Sequence, residues 1–446
     1  MYDLIIRGGM VVTGSKLFQA DIAIQDEKIA ELAPELNESA REEKDARGLF
    51  IFPGLIDTHV HFNEPGRNHW EGLASGSSAL AAGGGTLFAD MPLNSDPPLL
   101  SSSDFAAKLE AAKHQSVTDF AFWGGLTPDN LDRLEELAHC GVIGFKAFMS
   151  DSGIDEFRAA DDLTLYRGMA KAAQLGLPVA VHAESEAITK RLTGDLRTLG
   201  RVDIEAYLES RPILAELEAI NRALLYARET GCDLHIVHVS NARGMALISD
   251  ARMLGAQVSS ETCPHYLHFS SDDLLQKGAI AKCAPPLRSE TERYALWQSV
   301  LRGEVDMISS DHSPSEPELK DRADFFNVWG GIAGVQSTLN VLLSHRQEQG
   351  LPLEKIAQMC SSTPASRFSL PDKGYLEVGF DADLCLVAID EAFTLTANEL
   401  FYKHKYSPYT GQRFTGRVKQ TLLRGKTIFK EGRLEAGKAE LIKPHV

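Results

Sequence analysis

The sequence predicts an α/β protein, a closed (β/α)8 TIM barrel that carries a small β-sandwich domain formed from both termini. Three observations predict it. Between roughly residues 53 and 370, short apolar runs alternate with helical stretches, which is how parallel βα units read in sequence. The runs number eight, at 55–59, 86–91, 118–124, 142–148, 178–182, 233–239, 256–261 and 305–310. The two ends instead carry short β-like runs and echo one another, Ile5-Ile6-Arg7-Gly8-Gly9-Met10-Val11-Val12 against Leu422-Leu423-Arg424-Gly425-Lys426-Thr427-Ile428-Phe429. The expected division is therefore 1–52 with 371–446 for the sandwich and 53–370 for the barrel.

Taken in order, Leu4 to Ile6, Met10 to Val12, Ala20 to Ile24 and Ile29 to Leu32 are broken by Gly-Gly, Thr-Gly and Asp-Glu, the punctuation of antiparallel strands. Asp383 to Val387 adds a strand from the far end. Helices fit at Leu73 to Ala82, Asp104 to His114, Leu163 to Leu175 and Arg211 to Glu229, the last with Ile213, Leu214, Leu217, Ile220 and Leu224 at helical spacing. Gly83-Gly84-Gly85 ends a helix and enters a strand, the reverse of a phosphate cradle, and reads as a helix stop with no cofactor role. An open doubly wound sheet is the alternative arrangement. It wants a Gly-x-Gly-x-x-Gly turn after the first strand, which the sequence lacks.

A hydrophobic content of 43% with 24% charged residues describes a folded chain and not a disordered one. Lys+Arg 45 against Asp+Glu 62 gives a net charge of -17, which repels nucleic acid phosphates and anionic lipid. The start lacks a charged n-region and long apolar run, and no later run is long enough to span a bilayer, so a cytoplasmic protein with no membrane partner is expected. Six cysteines without a Cys-x-x-Cys pair indicate neither a disulfide framework nor a thiolate zinc site.

In barrel enzymes the active site is built at the carboxyl ends of the strands, and here polar residues gather there. Run one ends in Asp57-Thr58-His59-Val60-His61, whose two histidines at i and i+2 face one side of an extended strand. Run four carries Lys146, run five His182, run six His238 and run eight Asp311. Singly, each has a plain alternative: a satisfied core histidine, a helix-capping aspartate, a lysine paired or snorkelling to the rim. Six on one rim point to a metal centre. Lys146 interrupts Val142-Ile143-Gly144-Phe145-Lys146-Ala147-Phe148-Met149, where an ammonium is costly to bury. Desolvation lowers an amine's pKa, and a neutral amine adds carbon dioxide to form a carbamate whose two oxygens can bridge two metals.

The order His-x-His, Lys, His, His, Asp across a barrel resembles the binuclear amidohydrolase superfamily, and within it the cyclic amidohydrolases: hydantoinase/dihydropyrimidinase, dihydroorotase and allantoinase. The resemblance implies that His59, His61 and Asp311 hold one metal, that His182 and His238 hold the other, and that N6-carboxylysine at Lys146 bridges them. Two divalent ions per subunit are expected, zinc by default, with cobalt, manganese, iron or nickel compatible with the same nitrogen and oxygen donors. Asp311 is expected to carry protons in catalysis.

Dihydroorotases read a substrate carboxylate with an arginine two positions after the second histidine; here Asn63 stands there, with Arg67 as the nearby alternative. The runs His61-Phe62-Asn63-Glu64-Pro65-Gly66-Arg67, Asp90-Met91-Pro92-Leu93-Asn94-Ser95, Cys263-Pro264-His265-Tyr266 and Ser310-Asp311-His312-Ser313-Pro314 are similar to those of allantoinases. That implies hydrolysis of a small neutral substrate, allantoin, to allantoate, with hydantoinase or dihydropyrimidinase activity as the alternative and a homotetrameric assembly. Asn63, Asn94 and Ser313, with backbone near Ala284 and Gly330, are the implied substrate contacts. Asn94 and Ser313 fit turn caps equally well. His265 matches no metal ligand and is expected to support the site from behind.

Overall fold

The computed structural model describes residues 1–445. Eight parallel strands form the barrel: β1 (Leu55–Val60), β2 (Gly85–Asp90), β3 (Asp119–Phe122, continued by Gly124–Gly125), β4 (Phe145–Phe148), β5 (Val179–His182), β6 (Leu234–Ile236), β7 (Val258–Thr262) and β8 (Met307–Ile308). All eight expected runs are strands. β1 to β3 are hydrogen-bonded in order, as are β8 back to Gly124–Gly125. β3 bends at Trp123, and the Ile143 N–H carries the pairing across the bend to Phe122 O at 2.9 Å. The last seam closes just past β8, where Val60 pairs with His312 and the His61 N–H reaches His312 O at 2.7 Å.

Every residue of β1, β2, β4 and β5 is buried, because helices cover the outside and side chains fill the inside. The period of two sorts them. Phe145, Ala147, Val179 and Val181 pack outward among Phe120, Leu165, Met169 and Ile220, while Phe148 and Ala180 pack with Ile56, Leu87, Trp123 and Met307 in the interior. Lys146 and His182 fall on that inward face by the same alternation. Each fully buried Leu, Ile or Phe contributes about 1.5–3 kcal/mol. Gly144 shows how tight the interior is: a Cβ there would lie 2.6 Å from Trp123 and 2.7 Å from Pro178 O.

The helices Leu73–Ala82, Ser102–Gln115, Asp162–Leu175 and Ile213–Thr230 fall where periodicity puts them. Gly83 caps the first, its N–H bonding Ala79 O at 3.0 Å, and Gly85 opens β2, so the glycine triplet is a helix stop. No helix among the described residues is long and apolar enough to cross a membrane. The six cysteines are free, and all but Cys140 are buried.

Both termini build one nine-stranded sheet, joined where Phe50–Pro53 pairs antiparallel with Leu384–Thr394. Two expectations are corrected there. Gly8-Gly9 does not end a strand: Tyr2–Val12 runs through it as one strand with a register shift between Ile6 and Gly9, made possible by Gly8 at φ 68°. The sheet is also not wholly antiparallel, since Tyr2–Val12 pairs in parallel with Ala40–Asp45 and with Phe50–Pro53. The echoed motif near the C-terminus folds differently, into a hairpin whose Arg424-Gly425 turn has φ 47° and 75°.

Candidate metal centre and active site

The carboxyl ends of β1, β4, β5, β6 and β8 bring the six singled-out residues together. His59 Nε2 and His61 Nε2 lie 3.3 and 3.5 Å from the same oxygen, Asp311 Oδ1. Donor atoms of these three residues sit within 4.8 Å of one another, close enough to hold one cation. Across the floor His182 Nδ1 and His238 Nε2 approach to 3.0 Å, and the His59 and His238 ring centroids are 5.4 Å apart. Lys146 is fully enclosed and near enough for its charge to act on His59, His182 and His238. His238 and Asp311 hold left-handed backbone at φ 39° and 46°, as do Asn63 and Asn94 at 65° and 70°. Such non-glycine positions cost of order 1–3 kcal/mol each and persist where the surrounding fold fixes them.

The electrostatics of His59, His182, His238 and Asp311 favour their metal-binding forms. Burial lowers the pKa of His59, and the Lys146 charge lowers it further, against the pull of Asp311 and Glu261. Burial also lowers His182 and lowers His238 well below the usual range, the latter helped by His182 itself. Burial works to raise the Asp311 carboxyl, but His59 and His61 outweigh it and hold it at about 2. The Lys146 amine is pushed down to about 8 by burial, against the pull of Asp311 and Glu261.

Two carboxylates escaped the sequence reading. Glu261 on β7 meets His59 Nδ1 at 2.5 Å and His235 at 3.3 Å, leaving the other His59 nitrogen turned to Asp311. Glu184 meets His182 Nε2 at 2.8 Å and is itself paired with Arg211. Carboxylates placed this way fix the tautomer and aim of a ligating histidine. Signals existed for both: an acidic residue inside the strand Val258-Ser259-Ser260-Glu261-Thr262, and Glu184 two residues after His182. Asp57 is a third buried acid, raised to about 7 by burial although it accepts the Ser310 and His59 N–H groups.

The donor set fits a pair of cations on one plain observation. Lys146 Nζ, His61 Nδ1 and His238 Nδ1 are buried without a hydrogen-bond partner among the described residues. An unpaired buried polar atom costs about 1–3 kcal/mol, and an amine left so beside His59, His182, His238 and Asp311 suits a charged occupant of the site. A cavity of about 540 Å³ opens above them. Asn94, Ser313, Ala284 and Gly330 line it, and Asn94 Nδ2 donates to Ser313 Oγ at 3.3 Å. Asn63 stands outside the lining, donating to Pro314 O at 3.3 Å. Arg67 turns away to the Asn94 and Ser95 carbonyls and to Glu156. His265 is buried with both ring nitrogens unpaired, and burial lowers it to about 4.

The model of the Amidohydrolase family matches residues 50–428. An allantoinase of Solibacter usitatus is 56% identical over 430 residues, covering 96% of this chain and 94% of its own. An allantoinase of Deinococcus radiodurans is 52% identical over 431 residues, 96% of each chain. Among solved structures, the L-hydantoinase (dihydropyrimidinase) from Arthrobacter aurescens superposes with a TM-score of 0.96 at 33% identity, over 99% of this chain and all of that one.

Proposed function

The chain belongs to the amidohydrolase family, as a hydrolase of cyclic amides with a binuclear divalent metal site, and on that premise we propose that it opens the hydantoin ring of allantoin to give allantoate. The observation that carries this substrate is the 56% identity to an allantoinase over nearly the whole of both chains, against 33% to a hydantoinase with the same fold. Fold alone does not separate the two substrates, because a barrel hosts many chemistries.

In this reading His59, His61 and Asp311 would hold one cation, His182 and His238 would hold the other, and Lys146, as a carbamate, would be a ligand to both. A buried amine lowered to about 8 has an appreciable neutral fraction near pH 7 to 8, the form that captures carbon dioxide. Zinc is the default metal. When bound, the cations ionise water near neutral pH and draw electron density from the scissile carbonyl.

The chain's own residues do the rest. Asp311, ionised at neutral pH, takes a proton from the attacking water and delivers it to the ring nitrogen that leaves when the carbonyl carbon–nitrogen bond breaks. The products are a carboxylate and a neutral ureido group. Asn94, Ser313, Ala284 and Gly330 hold the ring in the cavity, while Asn63 stands back from it, bonded to Pro314 O. Glu261 and Glu184 keep His59 and His182 aimed. The division into 1–52 with 371–446 and 53–370, and assembly as a homotetramer, belong to the same reading.

Purified protein supplied with divalent metal and bicarbonate should form allantoate from allantoin and act far more slowly on hydantoin, dihydrouracil and dihydroorotate. A clear preference for dihydrouracil or hydantoin would make it a dihydropyrimidinase or hydantoinase instead.

A further inference from the structure

Two more buried lysines, outside the metal centre, have no part in the mechanism above. Lys320 Nζ donates to three backbone carbonyls, Ala279 at 3.1 Å, Trp329 at 2.9 Å and Gly331 at 2.7 Å. Lys282 Nζ donates to Phe325 O at 2.6 Å, Phe326 O at 3.2 Å and Val328 O at 2.6 Å, and sits 4.5 Å from the centre of the Tyr207 ring. Each ammonium thus has all three N–H groups on carbonyls. Neither is within ion-pair distance of a carboxylate among the described residues. Five of the six carbonyls belong to one segment, 325–331, which forms a wall of the cavity through Phe326, Asn327, Val328, Trp329 and Gly330.

The peptide bond is planar and trans, so its C=O and N–H point in opposite directions. A lysine that pulls a carbonyl backward pushes the next N–H forward. Three such N–H groups are bonded within the loop: Phe326 to Asp324 Oδ1 at 2.8 Å, Asn327 to Asp324 O at 2.9 Å and Trp329 to Leu319 O at 2.9 Å. The Gly330 N–H, opposite the Trp329 carbonyl that Lys320 holds, donates to no protein atom among the described residues. Gly330 and Lys282 line the cavity, whereas Lys320 is outside its lining. The same stretch is docked on the side of the metal centre, with Trp329 Nε1 donating to Ser313 O at 3.1 Å. Gly331 presses so close that an added Cβ would fall 2.0 Å from that oxygen.

We infer that Lys320, with Lys282 beside it, is a positioning residue that aims the Gly330 N–H into the cavity as a donor to a carbonyl oxygen of the cyclic amide. The inference rests on the proposed ring-opening reaction and names what sets one wall of its substrate site. Loss of the clasp frees the Trp329–Gly330 peptide to rotate and weakens ring binding, without touching the metal ligands or Asp311.

The test uses the metal-loaded full-length enzyme and the variants Lys320→Met, Lys282→Met and Lys320→Arg. KM for allantoin should rise about tenfold in each Met variant, the size of one lost hydrogen bond. kcat should stay within about threefold, metal content should be unchanged, and Lys320→Arg should recover most of the KM. Unchanged KM in folded Met variants would overturn the inference, as would a fall in kcat alone or a loss of metal. If neither Met variant folds, pulsed hydrogen exchange on the wild-type holoenzyme decides: saturating allantoin should protect the Gly330 amide, and absence of protection overturns the inference. A wild type that prefers another cyclic amide sinks the substrate assignment alone, because the variants are then measured on that amide.

Discussion

Lys146 at the mouth of the barrel and Lys373 at its foot are the same residue type and equally enclosed, with side chains 0% and 1% exposed, yet they are opposites chemically. Lys373 meets Asp119 at 2.6 Å and Asp381 and Asp383 at 2.8 Å each, and burial, which would lower its pKa, is outweighed by these carboxylates, which raise it. Arg424 and the Glu440 N–H complete the satisfaction of Asp119, tying β3 to the terminal sheet and to the C-terminal tail. Lys146 Nζ has no hydrogen-bond partner among the described residues. One end of the barrel uses a buried cation as a rivet, fully paired. The other leaves an amine unpaired among the described residues, its pKa lowered by burial.

The sharpest way to break the contrast is to exchange consequences. Lys146→Ala should lower kcat/KM by a factor on the order of 10³ or more and reduce bound metal, while leaving thermal stability near wild type because no partner is orphaned. Kinetics, metal analysis and melting would check it; a folded variant with intact turnover would remove Lys146 from the site. Lys373→Met should do the reverse. It strands several buried carboxylates and should cost about 3–5 kcal/mol in denaturant unfolding, with kcat of the folded fraction close to wild type.

Smaller effects refine the picture. Glu261→Gln and Glu184→Gln keep the shape but weaken the hold on His59 and His182, and should loosen metal binding about 10- to 100-fold in chelator competition. Smallest is the pH response. The raised pKa of Lys373 contributes stability that is complete below the ordinary lysine value of about 10.4 and lost above it. Asp381 is held low by Lys373 and Lys28 against its burial, and contributes above about pH 4, fading as pH falls. Asp383, raised by burial and by Asp119, works the other way as pH rises past about 4, so the foot should be insensitive only from above the Asp383 titration to about pH 10. For Lys146 the sign is opposite: its folded value, about 8, lies below the unfolded one, so metal-free protein should gain stability as pH rises from about 8 to about 10. Unfolding of the metal-free wild type and of Lys146→Ala across that range isolates the difference.

What could be read from the chain and what could not follow the same division. The eight barrel strands announce themselves because each is buried on both faces and therefore apolar, and Lys146 is conspicuous for interrupting one. Ala40–Asp45 is also a strand, but its sequence Ala-Arg-Glu-Glu-Lys-Asp is mostly turned to solvent and carries no apolar period. It is specified by pairing with Tyr2 to Arg7. Glu261 looks like any carboxylate until folding places it against His59, a partner 202 positions away in the chain. Lys373 and Asp119, separated by 254 positions, are equally silent. Arg67 was a chemically reasonable reader of substrate, and only the packing of 94–95 shows its guanidinium occupied elsewhere.

The seam between β1 and the residues just past β8 has one more consequence. His59 and His61 emerge from the ribosome early and Asp311 late, and these three donors meet only when the last strand zips against the first. A nascent or truncated polypeptide therefore lacks the full cage. Completion of the ring and completion of the cation site are a single event, so hydrolytic competence arrives with the finished cylinder and not before it.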